Sequence, residues 1–415
     1  MSASPPAASP IACDVLVVGA GPAGSACAQL LAREGFDVLL VDQHVFPRDK
    51  VCGDGLIPDA HAALARLGVL DQVMARAQRA RHVGCIGPRG GRIDVPGALA
   101  VLPRRELDHI LCQAAVNAGA RPLMPARFDG VVEESGQVVG ARLKIDGGLR
   151  ELRCRSVVLA TGAVPQALIA AGMCERHTPS GIALRGYVKN HAMVGRITEL
   201  EVVWHKRLKR GYGWIFPCRD GVFNIGVGLA HSHSRTGDDG RRTMQDVNLR
   251  EMFSAFTQIH APAGELMRSG APLGELKGAP LRCSLEGQSY ARAGLLATGE
   301  AIASTYAFTG EGIGKAMETG MLAARALIDG RRLQLDDEAV RRHYEASLLA
   351  LKPRFDLYER ANRVNNHPWL ADLLIWRAKK SERILKRMSG VLNETNNPGN
   401  LVSVRGLARL FLPIR

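Results

Sequence analysis

Residues 11–42 read IACDVLVVGAGPAGSACAQLLAREGFDVLLVD, and this stretch decides the fold. IACDVLVV ends in a short apolar run rich in β-branched residues, the pattern of a parallel strand buried on both faces. Glycines 19, 21 and 24 follow at once. Residues 25–33 have Ala/Leu helical character, Gly35 closes that helix, and 38–41 form a second strand ending on Asp42. Strand, glycine turn, helix and strand make a right-handed βαβ unit of the Rossmann type. Gly19 permits the tight turn, Gly21 lets the backbone approach a pyrophosphate, and Gly24 lets the helix pack on the strand. Pro22 and Ala23 then sit at the first helical positions, where backbone N–H groups and the helix dipole favour phosphate. Asp42 stands where a carboxylate takes ribose hydroxyls. The motif predicts a bound dinucleotide without separating NAD from FAD.

A second glycine cluster narrows that choice. Ala297-Thr298-Gly299-Glu300-Ala301 is followed by Phe308-Thr309-Gly310-Glu311-Gly312-Ile313-Gly314-Lys315 and then by a helix over 312–328. A second helix N-terminus behind a glycine turn can hold the far end of an extended flavin, where charge develops on reduction. The pair of clusters therefore predicts FAD.

Between the clusters, 59–79 and 105–118 read as helices, 128–160 as three short strands, and 80–103 as short antiparallel strands. Residues 181–230 are strand-rich and predict a second, antiparallel sheet, with a helix over 243–260. The fold class expected is α/β (α+β): a discontinuous FAD-binding domain (11–80, 104–178 and 282–330), an inserted substrate-binding domain (81–103 and 179–281) and a basic C-terminal helical region (331–415). Gly84-x-x-Gly87-x-x-Gly90 lacks a strand–helix frame and is not a second nucleotide fingerprint. His231-x-His233 lacks further ligands at suitable spacing, and no metal is expected.

The ordered motifs resemble the geranylgeranyl reductase family of FAD-dependent oxidoreductases, in the p-hydroxybenzoate hydroxylase-like flavoprotein superfamily. They are the fingerprint at 19–42, FPRDKVCGDGL at 46–56, Arg104-x-x-Leu107-Asp108, Ala160-Thr161-Gly162-Ala163, Tyr212-Gly213-Trp214-Ile215-Phe216-Pro217 with Asn224-Ile225-Gly226-Val227-Gly228, and TGEGI at 309–313. The nearest likenesses are bacterial reductases that saturate an isoprene unit of a menaquinone side chain. The resemblance implies a reductase that saturates carbon–carbon double bonds of an isoprenoid chain by hydride transfer from flavin N5. It places Gly19, Gly21, Pro22, Ala23, Gly24, Asp42, Lys50, Cys52, Arg104, Gly162, Gly299, Glu300, Gly310, Gly312 and Ile313 on FAD. Tyr212, Trp214, Phe216 and Tyr306 would line the substrate cavity, and Cys52, Tyr212 and Trp214 would serve catalysis, with Cys52 as the acid in a setting made electropositive by Arg48 and Lys50. The family usually has Asp, Pro, and Asn or a small residue where this chain has Glu300, Ala307 and Tyr306. Those departures keep a second reading open: an FAD-dependent monooxygenase or halogenase acting on an aromatic or polyketide compound. No second Rossmann fingerprint is present, so NAD(P)H would visit transiently or another donor would reduce the flavin.

Composition sets the remaining bounds. Nine cysteines without C-x-x-C pairs read as reduced thiols of a cytoplasmic protein. The first ten residues lack the basic and apolar regions of a signal peptide. The formal charge is +14, yet no nucleic-acid recognition motif accompanies it. Over 331–415, 17 Lys/Arg face 9 Asp/Glu, an excess of 17 − 9 = 8. Trp369, Leu370, Leu373, Leu374, Ile375 and Trp376 precede Arg377, Lys379, Lys380, Arg383, Lys386 and Arg387, and LVSVRGLARLFLPIR ends the chain. This region would either lie on an anionic membrane leaflet or dock on the protein.

Overall fold

The computed structural model describes residues 11–175, 180–208, 210–230, 235–236, 242–243, 247–286 and 289–396. The first ten residues, His231 and His233, and the final apolar-basic stretch lie outside them. The first sheet is built on the parallel strand Ile11–Val18, flanked by Val38–Val41 and Gly148–Leu159 in parallel, with Arg121–Leu123 and Leu295–Ala297 beyond. Leu16 and Val17 are fully buried, as a strand covered on both faces requires. Helices Pro22–Arg33, Arg104–Asn117 and Ile313–Arg332 cover the sheet. The three strands expected over 128–160 are Arg127–Glu134, Gln137–Ile145 and Gly148–Leu159, an antiparallel meander.

The second sheet is mixed rather than purely antiparallel. Gly181–Lys189, Val222–Ala230, Gly211–Pro217 and Leu200–Val203 pair antiparallel in that order, but Leu200–Val203 runs parallel to Gln78–Ile86. The expected domain boundary at residue 80 falls inside Gln78–Ile86, whose hairpin partner is Arg92–Val101. The helix expected over 59–79 is two helices, Pro58–Leu67 and Leu70–Arg76, because Gly68 caps the first in the left-handed conformation. The helix expected over 243–260 is Leu249–Ile259, followed by a second, Ala261–Ser269, with proline in its first turn. Met252, Phe253 and Phe256 pack on the outer face of this sheet with Ile215, Ile225 and Val227. The inner face is left to a cavity.

The C-terminal helices dock on the protein. Tyr344, Phe355 and Tyr358 of helix Asp337–Ala361 enter the core built on the first sheet. Leu370, Ala371, Leu374 and Ile375 of helix Trp369–Ala378, with Ile384 of helix Glu382–Leu392, join the core on the cavity side of the second sheet. Gly87 serves this contact: a Cβ there would overlap the Asp372 carboxylate. The described residues of this region thus complete both cores. Its outer surface is a distinct matter, since Trp369 and Trp376 are exposed.

Candidate active site

A cavity of about 1000 Å³ runs between the two sheets. Gly19, Gly21, Asp42 and Gly162 line one part of it, Gly310, Gly312 and Ile313 another, and Tyr212, Trp214 and Phe216 a third. One continuous space therefore joins both glycine clusters to the aromatic strand.

The dinucleotide end follows from close packing. Gly19 has φ +102°, and a Cβ there would lie 2.3 Å from the Ala160 carbonyl oxygen; a Cβ on Gly24 would lie 1.8 Å from the Gly19 carbonyl oxygen. Only glycine lets the turn, the helix and the neighbouring strand meet so closely. Gly21 caps the helix with no side-chain hydrogen bond and Pro22 opens it, so the first N–H groups remain free for a ligand. Asp42 accepts from Ala20 N and His44 N at 2.9 Å each, which fixes the carboxylate at the cavity wall. Thr161 Oγ is buried without a partner beside Gly162, a residue in the left-handed conformation with open space where a side chain would be. A polar ligand fits this cradle.

At the other end, Gly312 caps helix Ile313–Arg332, again without a side-chain bond. Glu300 accepts from Thr305 Oγ at 3.3 Å and lines the cavity. Tyr212 Oη donates to Thr309 O at 2.8 Å, tying the aromatic strand to this loop. Tyr212, Trp214 and Phe216 share the inward face of their strand, as strand periodicity requires, and Trp204 extends the row. Successive ring centroids stand 6.3, 6.2 and 6.3 Å apart. The indole of Trp214 lies across Gly226, where a Cβ would come within 2.3 Å of the ring. Its Nε1 donates to Asn224 Oδ1 at 2.9 Å. The Asn-x-Gly-x-Gly run is therefore the seat of Trp214.

Asn224 does more. Its Nδ2 donates to Cys52 O at 2.8 Å and to Asp54 Oδ2 at 2.7 Å. Asp54 is fully buried and also accepts from Tyr187 Oη. Burial, against the opposing pull of those hydrogen bonds and of Arg185 and Arg104, lifts its carboxyl to about 6. Arg185 in turn pairs with Asp49 at 2.8 Å. This buried network holds the loop that carries Lys50 and Cys52, both on the cavity wall.

One expectation needs correction. The cation beside Cys52 is Arg104; Arg48 is spent on Asp108 at 2.9 Å. Burial still outweighs Arg104 and raises the thiol, so Cys52 keeps its proton. Arg104 makes a two-pronged pair with Asp108 at 2.6 and 2.8 Å, which outweighs the cost of its burial and holds it charged. Tyr306 stands on the cavity wall with its side chain held in the core behind it: its ring stacks on Tyr358 at 3.9 Å and its hydroxyl donates to Glu394 at 2.9 Å. A large aromatic at that position is held by Tyr358 of helix Asp337–Ala361 and by Glu394. Asp54, Tyr187, Arg185 and Trp204 were not singled out by sequence reasoning. Only the Asn224 motif carried a signal for the network, and that signal lacked a partner until the chain folded.

Comparison with known proteins now bears on this site. A family model described as FAD binding domain matches residues 12–246. The menaquinone reductase of Mycobacterium tuberculosis is 35% identical over 339 residues, 77% of each chain. The chain belongs to the geranylgeranyl reductase family of FAD-dependent oxidoreductases. Another relative is the menaquinone reductase of Mycolicibacterium smegmatis, 33% identical over 76% of each chain. The digeranylgeranylglycerophospholipid reductase 2 of Methanopyrus kandleri is 30% identical over 75% of each. In structure, a geranylgeranyl bacteriochlorophyll reductase-like protein of Thermoplasma acidophilum superposes with a TM-score of 0.70, at 20% identity over 96% of both chains. A flavin-dependent brominase reaches 0.66 at 19% identity, covering 96% of this chain and 93% of its own, so it shares the fold. As a member of the geranylgeranyl reductase family, the protein is an FAD-dependent oxidoreductase, and the cradle described above is where the dinucleotide fits.

Proposed function

We propose that this flavoprotein saturates carbon–carbon double bonds in the isoprenoid chain of a prenyl quinone or geranylgeranyl lipid. The observation that carries the reading is the shape of the cavity beyond the flavin cradle. Past the four aromatic rings it is walled by Val83, Val95, Leu99, Leu374, Ile375 and Leu392, an apolar slot closed by the C-terminal helices. An extended hydrocarbon chain suits such a slot, and a compact polar aromatic does not. When bound, reduced FAD supplies the hydride.

An isolated alkene is a poor hydride acceptor, so protonation of one carbon must help, with positive charge developing at the other. Under this reading Cys52, Tyr212 and Trp214 wall the reacting bond. The ring faces of Tyr212 and Trp214 tolerate the charge, the apolar slot excludes water, and the Cys52 thiol stays neutral beside it. Phe216 and Trp204 continue the track for the chain. Lys50 and the residues of the two glycine clusters hold the cofactor. Electrons come from NAD(P)H as a transient visitor or from another donor.

A lipid-tailed substrate has to be drawn from a bilayer. Among the described residues no helix is long and apolar enough to cross one. Trp369, Trp376, Lys379, Lys380, Arg383, Lys386 and Arg387 are all exposed on the outer side of the helices that roof the cavity. We place the protein peripherally on the cytoplasmic leaflet, with this basic-aromatic surface against anionic headgroups. It should float with anionic vesicles and lose that association in high salt; equal flotation with zwitterionic vesicles would contradict this contact.

The decisive experiment is anaerobic. Enzyme with reduced FAD, mixed with a prenyl quinone, should yield a product heavier by two hydrogens per reduced bond and reoxidised flavin. Oxygen consumption with a hydroxylated or halogenated product, and no saturated chain, would overturn the proposal in favour of oxygenase or halogenase chemistry.

A further inference from the structure

Beside the flavin end of the cavity lies a buried knot of charge. Lys315, 2% exposed, is ringed by Asp59 at 3.5 Å, Glu318 at 2.7 Å and Glu394 at 2.7 Å. Glu311 completes the group: donor atoms of Asp59, Glu311 and Glu394 lie within 4.8 Å of one another. Both Glu311 oxygens are buried without a hydrogen-bond partner, and so is Asp59 Oδ2, on a side chain only 8% exposed. Glu311 also lines the cavity. Asp59, Lys315, Glu394, Tyr306 and Tyr358 act on Glu311 directly, and His61 from helix Pro58–Leu67, Glu318 from helix Ile313–Arg332 and Arg354 from helix Asp337–Ala361 act on those partners. Arg354 is committed to Glu394 at 2.7 Å. Four carboxyl groups thus share two cations. Two facing carboxyl groups with no donor between them call for a proton.

We propose that Glu311 is the proton donor for the cavity, kept protonated by its pairing with Asp59 within the ring of charges around Lys315. The inference rests on the alkene-reductase reading above. Saturating one double bond adds a hydride to one carbon and a proton to the other. Glu311 gives up the proton and becomes a carboxylate, the alkene carbon gains a C–H bond, and the electron pair of the double bond forms it. The new carboxylate is stabilised by Lys315 and by the N-terminus of helix Ile313–Arg332. Gly314 makes that arrangement possible, because a Cβ there would fall 2.0 Å from Asp59 Oδ2. Reprotonation comes from water on the Glu394 and Arg354 side, where the Arg354 side chain is 41% exposed. Burial first, and Asp59 second, push the Glu311 carboxyl well above its ordinary range, in the direction that keeps the proton.

Three measurements test this. Infrared difference spectra of the oxidised holoenzyme should show a protonated-carboxyl C=O band at neutral pH that is lost in Glu311→Gln; identical spectra would overturn the proposal. Asp59→Asn should move the disappearance of that band to lower pH, since the paired charge is removed; an unmoved band would deny the pairing. Glu311→Gln should bind FAD as wild type does yet slow alkene-driven reoxidation of the reduced enzyme by about 10²–10⁴-fold, with Glu311→Asp recovering part of the rate. Wild-type reoxidation in Glu311→Gln would overturn the donor role. If the wild type itself is not reoxidised by a prenyl quinone, the function reading fails instead, and the infrared band still decides whether Glu311 holds the proton.

Discussion

At the scale of single residues, the hydrogen-bonding side chain with most consequences is Asn224. It holds the Trp214 indole, the Cys52 carbonyl and the Asp54 carboxylate at once. Asn224→Ala should cost about 1–3 kcal/mol per buried group left unpaired. Urea unfolding would measure this, with a raised KM for the prenyl substrate as the functional companion. Asp54 gives a pH signature. Its folded carboxyl is raised from 3.8 to about 6 by burial, so the stability it contributes is complete below 3.8 and is lost as pH rises through about 6. Asp54→Asn lacks that loss. The wild type should therefore fall relative to the variant by on the order of 3 kcal/mol between those two values, as followed by unfolding at a series of pH values. A flat difference would mean that Asp54 ionises in the folded protein as it does in water. Trp214 was legible from strand alternation, whereas Asp54 was not: an acid in a loop carries no periodic signal, and its burial depends on Tyr187, 133 residues away in the chain.

At the scale of elements, two helices begin on glycine without side-chain caps, and both open onto the cavity. That symmetry was readable, because a glycine turn before an Ala/Leu run has one local outcome. The roof was not. Helix Trp369–Ala378 is apolar on both sides of its polar residues, and composition left open whether it faced lipid or protein. Tertiary contact divides it: Leu374 and Ile375 go inward to the cavity, and Trp369 and Trp376 stay out. Leu374→Ala should cost about 2–5 kcal/mol through the space it leaves. It should also raise the KM for the prenyl chain while leaving FAD affinity unchanged, since the cradle lies on other elements. Thermal unfolding and flavin titration together check this, and a loss of FAD affinity equal to the loss of substrate affinity would sink the assignment of the roof to the substrate.

At the scale of the whole molecule, the cavity is the joint between two sheets, and a ligand that spans it should stabilise the fold. FAD at 1,000 times its dissociation constant would add about 4 kcal/mol. Stripping the flavin should therefore lower the melting temperature, and readdition should restore it. An unchanged melting temperature would show that the two sheets hold together independently of the cofactor.

The sequence by itself determined the cofactor and the frame that binds it. Gly19, Gly21, Gly24, Gly310 and Gly312 act through local geometry, and local geometry is written in neighbouring residues. What only the tertiary structure decided was the far side of the flavin: that Tyr306 stacks on Tyr358, that Arg104 rather than Arg48 stands by Cys52, and that Glu311 meets Asp59. Each of these rests on which long-range partners a buried polar or aromatic group finds. Burial makes such partners obligatory, because an unpaired group in the interior costs more than most contacts supply. The chain alone does not name them.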